Sequence, residues 1–259
     1  MKITIICKKY YKEIHELEKA FEMSRKGDIC IAIGGDGTFV KAAREFDGPI
    51  LAIRGDESSS AGYYSDISIR DISLVVKKLK KKQYMVENLG NKIELAFKGK
   101  KYYAVNEVLL HNWREEVYFS IYYKDDHKEK AIYPYIMAGD GMLVTSEVGS
   151  TAYNRSAGGP VILSPRLLCA TFLNVDGPYT NSIIVSPDKK IGARIEKYSG
   201  VLRYDGIDAG SIKKGESFEV SLSKKELRVV RLDGVREDIA VKLARIIKGK
   251  MRKPEGIEY

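Results

Sequence analysis

The segment IAIGGDGTFV, residues 31–40, leaves one carboxylate, Asp36, standing between Gly35 and Gly37 with Thr38 following. Glycine weakens strands and helices alike, so such a run marks backbone that must bend or stay uncovered. Main-chain N–H groups at a bend that opens a helix favour an anion, and phosphate is the natural guest. Asp36 would repel that phosphate unless it holds Mg²⁺ or takes a proton from a hydroxyl attacking phosphorus. A plainer alternative is a tight turn with Asp36 as helix N-cap.

A second constellation is GDGMLVTSEVGSTAYNRSAGGP, residues 139–160. Asp140 again lies between glycines. Ser150, Thr151 and Ala152 are small residues that suit close contact with the edge of a base, and Tyr153 supplies a stacking face. Ser156 precedes the turn at Gly158 and Gly159. A third feature is Asn106–Glu107 inside the apolar run VNEVLL, a pair that either satisfies local backbone or accepts from ribose hydroxyls.

These residues need elements to carry them. The first ~85 residues alternate as βαβα. Strands are expected at KITIICK, DICIAIG and PILAIR, and helices at KEIHELEKAFEMS, GTFVKAAREF and SIRDISLVVKKLKKK. Ser68 and Asp71 have capping-box spacing at the start of the last helix. Alternation of this kind implies a Rossmann-like parallel sheet, with ligands gathering at the carboxyl ends of its strands. From about residue 86 short β-rich runs are separated by Gly, Asn, Asp and Pro, the pattern of a β-sandwich-like module with one helix after SAGGPVI. Ile239, Leu243, Ile246 and Ile247 return to helical spacing. The expected fold is thus α/β plus all-β: an N-terminal domain over 1–85, a β-rich domain over 86–235, and a terminal helix over 236–259 packing back on the first.

Net charge is +9, which favours anionic partners. The lysines of residues 77–82 mostly cover the wet face of a helix whose stripe is Ile72, Val75, Val76 and Leu79. No RNP, KH or helix-turn-helix signature points to nucleic acid. His15, His111 and His127 lack metal-site spacing, and Cys7, Cys30 and Cys169 form no CxxC. No apolar stretch approaches the ~20 residues that span a bilayer. The N-terminus turns charged after six residues, so a cytoplasmic protein without membrane contact is expected.

GGDGT, the Asn106–Glu107 pair, and DG…GSTAY…SAGGP in this order resemble the NAD kinase family over nearly the whole chain. GGDGT also occurs in diacylglycerol and sphingosine kinases, and GSTAY followed by SAGGP separates them. The resemblance implies transfer of a phosphoryl group from ATP or polyphosphate, with Mg²⁺, to the 2′-hydroxyl of the adenosine ribose of NAD. It implies Asp36 as general base, Gly35, Gly37 and Thr38 against the nucleotide, and Lys41 as a phosphate contact. Gly62 and Tyr63 stand where the family has Gly and Phe, so Tyr63 would flank the adenine. Asn106 and Glu107 would bind the ribose. Asp140, Thr151, Ala152 and Tyr153 would line the adenine and nicotinamide ends, with Ser150 and Ser156 nearby. Family members are homodimers or homotetramers with sites completed across subunits. In this chain Asp205-Gly206-Ile207 replaces the family's DGQ.

Overall fold

A computed structural model describes residues 1–55, 62–125, 128–164, 166–177 and 181–235. The described residues divide into two units, Met1–Asn88 together with residues 228–235, and Leu89–Leu227. The stripe at Ile239, Leu243, Ile246 and Ile247 lies outside the described residues, and so does the expected return of 236–259.

The first unit is built as β1 (Lys2–Cys7), α1 (Ile14–Ala20), β2 (Glu22–Met23), β3 (Ile29–Gly34), α2 (Asp36–Glu45), β4 (Ile50–Arg54), β5 (Ile67–Ser68) and α3 (Ile72–Lys80). β2, β1, β3 and β4 lie side by side, all parallel, with β5 pairing the end of β4. The alternation along each strand sorts the two faces. Ile29, Ile31, Ile33, Leu51 and Ile53 join Ile14, Leu17, Ile72, Val75 and Leu79 in one core, so α1 and α3 cover that face. Each such buried aliphatic contributes roughly 1.5–3 kcal/mol. The other face carries Cys30, Ala32, Gly34, Ile50, Ala52 and Arg54, and α2 buries Phe39, Val40, Ala42 and Ala43. Small residues on this face allow close helix approach.

Two local expectations are corrected. The first helix stops at Ala20, because Phe21 turns extended and Glu22–Met23 pair with β1; strand pairing overrides the helical periodicity that ran on to Ser24. Ser68 accepts the N–H of Arg70 at 3.4 Å, but Asp71 makes no side-chain cap bond. A 3₁₀ turn over Ile69–Asp71 comes between them and α3, so there is no capping box.

The second unit contains most of β6 (Tyr84–Phe97), β7 (Lys100–Ala104), β8 (Glu107–His111), β9 (Val117–Asp125), β10 (Lys128–Ala131), β11 (Met137–Gly139), β12 (Gly141–Ser146), β13 (Leu168–Leu173), β14 (Ile183–Val185), β15 (Lys190–Lys197), β16 (Ser199–Tyr204), β17 (Ile207–Lys213) and most of β18 (Ser217–Leu232). One antiparallel sheet has the order β14-β13-β12-β8-β16-β17. In the other, β9 pairs β10, β11 and β15, and β15 pairs the start of β18. Val108, Leu110, Met142, Val144, Ala170 and Leu202 from the first sheet meet Phe119, Ile121, Ile191, Ala193, Phe218 and Val220 from the second. That shared core makes a β-sandwich. The far end of β18 enters the first unit, where Val229 pairs in parallel with Ile50.

No helix follows SAGGPVI over the described residues 161–164. The helical turn lies earlier, over Ser150–Asn154. Side chains of that turn occupy the backbone that a later helix would need: Ser150 accepts the N–H of Ile162 at 3.1 Å, and Asn154 donates to the carbonyl of Pro160 at 2.8 Å.

Candidate active site

In the first unit the glycine turn sits at the carboxyl end of β3, and Asp36 is the first residue of α2. Gly35 is the N-cap in extended backbone, its carbonyl accepting from Thr38 and Phe39 at 2.9 and 3.2 Å. Asp36 is therefore not the N-cap; its Oδ1 instead accepts the N–H of Tyr64 at 3.3 Å. The Tyr64 ring stacks on Phe39 at 4.1 Å, and Tyr63 packs edge-on against Tyr64. The 62–65 segment is thereby clamped to α2, which brings Gly62 and Tyr63 to the neighbourhood of Asp36. Thr38 fills the space where a side chain on Gly34 would go. A side chain on Gly37 would meet nothing within 4 Å, so this glycine answers no packing need among the described residues. Lys41 is exposed and about 7.5 Å further along the helix axis. An oriented carboxylate beside the first N–H groups of a helix suits proton abstraction next to a bound phosphate.

In the second unit the Asn106–Glu107 pair is held from a distance. Asp205 and Gly206 form the two-residue turn between β16 and β17, both in left-handed backbone, the arrangement that Asp-Gly favours. The Asp205 carboxylate accepts the N–H groups of Val105, Asn106 and Glu107 at 2.8, 2.7 and 3.3 Å. The carbonyl of Asn106 accepts from Thr145 at 2.6 Å. It also occupies the place of a Cβ on Gly149, so only glycine lets the GSTAY turn seat on this carbonyl. Within the turn Ala152 breaks the helical backbone. Asn154 is buried and anchored by Thr171 at 2.7 Å, while Tyr153 stays 37% exposed.

This neighbourhood is rich in unsatisfied acceptors. Among the described residues, Oε2 of Glu107, both carboxylate oxygens of Glu147 and the hydroxyl of Ser146 are buried without a hydrogen-bond partner. Burial, and secondarily the charge of Asp205, push the Glu107 carboxyl up to about 7. Such groups fit a ligand that donates, as ribose hydroxyls do. Asp140 is elsewhere. It precedes β12 whereas Ser150–Tyr153 follow it, so roughly 20 Å of strand separates them within one chain. Ser156 is exposed beyond the turn.

Sequence reasoning gave no site role to three residues, Asp205, Glu147 and Arg54. The Asp205 dipeptide signals a hairpin, but its contacts lie about a hundred positions away in sequence. Glu147 reads as a turn residue, and Arg54 as an ordinary strand end. Among the described residues no group of three or more His, Cys, Asp or Glu could hold a metal.

The matches to known proteins fall on this arrangement. Residues 105–232 match the family model of the ATP-NAD kinase C-terminal domain. The chain is 31% identical over 222 residues to the NAD kinase of Clostridium botulinum, covering 80% of this chain and 73% of that one. It is 30% identical over 207 residues to the NAD kinase of Thermosipho melanesiensis, covering 79% and 74%. Its fold is similar to that of an NAD kinase from Archaeoglobus fulgidus in complex with ATP, with a TM-score of 0.71 at 20% identity over 95% of this chain and 99% of that one. It is similar also to yeast NADH kinase complexed with NADH, with a TM-score of 0.78 at 15% identity over 99% and 90%. The chain belongs to the NAD kinase family.

Proposed function

We propose that the protein phosphorylates NAD at the 2′-hydroxyl of its adenosine ribose, taking the terminal phosphoryl group of ATP or of inorganic polyphosphate and releasing NADP. The observation that carries this reading is Asp36, a carboxylate at the head of α2, fixed by the Tyr64 N–H where helix amides favour an anion. A ribose hydroxyl is a poor acid, so a base within hydrogen-bond reach is worth roughly 10²–10⁴-fold. Phosphoryl transfer otherwise asks for in-line positioning and charge neutralisation. Mg²⁺ would accompany the donor, where it would neutralise charge on the phosphates.

Asn106 and Glu107 accept from the ribose, and Thr151, Ala152 and Tyr153 receive the base. Asp140 serves a site completed by a second copy of the chain, which its distance along β12 from the GSTAY turn supports. The working form is a homodimer or homotetramer in the cytoplasm. No described helix is long and apolar enough to cross a membrane, and Leu163 and Trp113, 93% and 69% exposed, are candidates for burial between copies.

The test is incubation of the purified protein with NAD and MgATP or polyphosphate, with NADP read by an NADP-specific dehydrogenase. Formation of NADP that vanishes in Asp36→Asn supports the reading. Measurable NAD binding with no NADP from either donor overturns it.

A further inference from the structure

We propose that Arg54 is a catalytic residue of this site, its guanidinium contacting the anionic oxygens of the phosphoryl group in transfer. The inference rests on the phosphoryl-transfer reading above and names a group that reading does not contain. Arg54 ends β4, and in the parallel register it pairs with Gly34, the residue that opens the glycine turn. The N–H of Gly55 donates to the carbonyl of Gly34 at 3.2 Å, locking the two strand ends together. Leu51 and Ile53 point into the core under α1 and α3. Arg54 therefore lies on the opposite face, the one on which α2 begins with Asp36.

Its stem is positioned as well. The Arg54 side chain occupies the space that a Cβ on Gly62 would fill, and Gly62 is in left-handed backbone at φ +62°. Two residues later the same segment gives its N–H to Asp36. One short loop thus braces both the base and the arginine stem.

Nε of Arg54 is buried and has no hydrogen-bond partner among the described residues. A guanidinium stays charged at every working pH, and leaving a buried donor unpaired is costly. Arg231, by contrast, is fully engaged by Glu87, Asp66 and the Tyr64 carbonyl. A cation at the carboxyl edge of a parallel sheet, with one donor unpaired among the described residues and beside a helix that attracts anions, matches a phosphoryl group in charge and fork geometry.

The step balances without proton transfer by Arg54. The 2′-hydroxyl gives its proton to Asp36, its oxygen forms the new bond to phosphorus, and the bond from that phosphorus to the bridging oxygen breaks. The electron pair leaves with the shortened donor. Arg54 remains a guanidinium and offsets the charge spread over the three equatorial oxygens.

The experiment is steady-state kinetics of NADP formation with Arg54→Met and Arg54→Lys beside the wild type, with NAD affinity and thermal unfolding measured on each. Arg54→Met keeps the stem over Gly62 and removes the unpaired donor, so it should melt no lower than wild type. The expected result is a kcat lower by about 10²–10³-fold with NAD affinity unchanged, and partial recovery in Arg54→Lys. A merely structural arginine would lower the melting temperature and spare kcat. Wild-type activity with Arg54→Met within about threefold of it overturns the role of Arg54 alone. A wild type that makes no NADP overturns the function reading and this proposal with it.

Discussion

The two functional regions are built on opposite principles. In the glycine turn of the first unit donors surround a single carboxylate: helix amides and an arginine whose Nε has no partner among the described residues, with Asp36 itself fixed by a backbone N–H. Around the GSTAY turn of the second unit the useful groups are acceptors: Glu107, Glu147 and Ser146 all carry buried oxygens without partners among the described residues. The first chemistry suits an anion that must be neutralised, and the second suits hydroxyls that must be oriented. A kinase for a nucleotide needs both, because the phosphoryl group is negative and the ribose is a donor.

Substitutions can break this contrast. The largest effect is expected for Asp205→Ala. It removes the acceptor of three N–H groups and should cost about 3–5 kcal/mol in chemical denaturation, loosening Asn106 and Glu107 together. Asp205→Ala unfolding like wild type would mean that water replaces the carboxylate and that the pair is not held by it.

Glu107→Gln should act next most strongly, and with a definite pH sign. The Glu107 carboxyl is pushed up to about 7 from an ordinary value of 4.5, so the folded protein binds more protons than the unfolded chain between these limits. The stability that wild type derives from protonated Glu107 is present below about pH 4.5 and is lost as pH rises through 7. Glu107→Gln should therefore be more stable than wild type above pH 7, by up to roughly 3 kcal/mol, with the difference fading in acid. NAD affinity should move the other way: it should improve in wild type from pH 6 to 8 as the acceptor ionises, and stay flat in the variant. Parallel profiles for the two proteins would remove Glu107 from nucleotide recognition.

Gly37→Ala has the smallest expected effect on folding and separates packing from ligand approach. A Cβ there meets nothing within 4 Å among the described residues, so alanine should raise helix stability by up to ~1 kcal/mol. If nucleotide phosphate lies against this backbone, activity should fall all the same. An active, stabilised Gly37→Ala would show that no ligand approaches the turn there.

The contrast also explains what could be read in advance. The glycine turn is local: strand, bend and helix follow one another in ten residues, and apolar runs with helical spacing reveal each element. The sandwich was legible as short β-rich runs between turn residues. Partners were not legible, because pairing depends on where distant strands come to rest. β18 is one uninterrupted run of sixteen residues, yet its start pairs β15 and Val229 pairs Ile50. Asp205 serves residues about a hundred positions away, and Asp140 is twelve residues from Ala152 in sequence but a strand's length away in space. Glu107 could be named from its motif, whereas its raised pKa depends on burial that no local pattern records.

The most direct measurement pairs NAD binding with turnover in wild type and Asp36→Asn, using NAD, MgATP and an NADP-specific readout. The proposed role of Asp36 as base predicts that Asp36→Asn folds and binds NAD as wild type does, because asparagine keeps the shape and the oxygen that accepts the Tyr64 N–H, while its turnover falls by about 10²–10⁴-fold. Turnover close to wild type in Asp36→Asn would contradict the assignment of Asp36 as base. Loss of NAD binding in the same variant would contradict the separation of base from recognition.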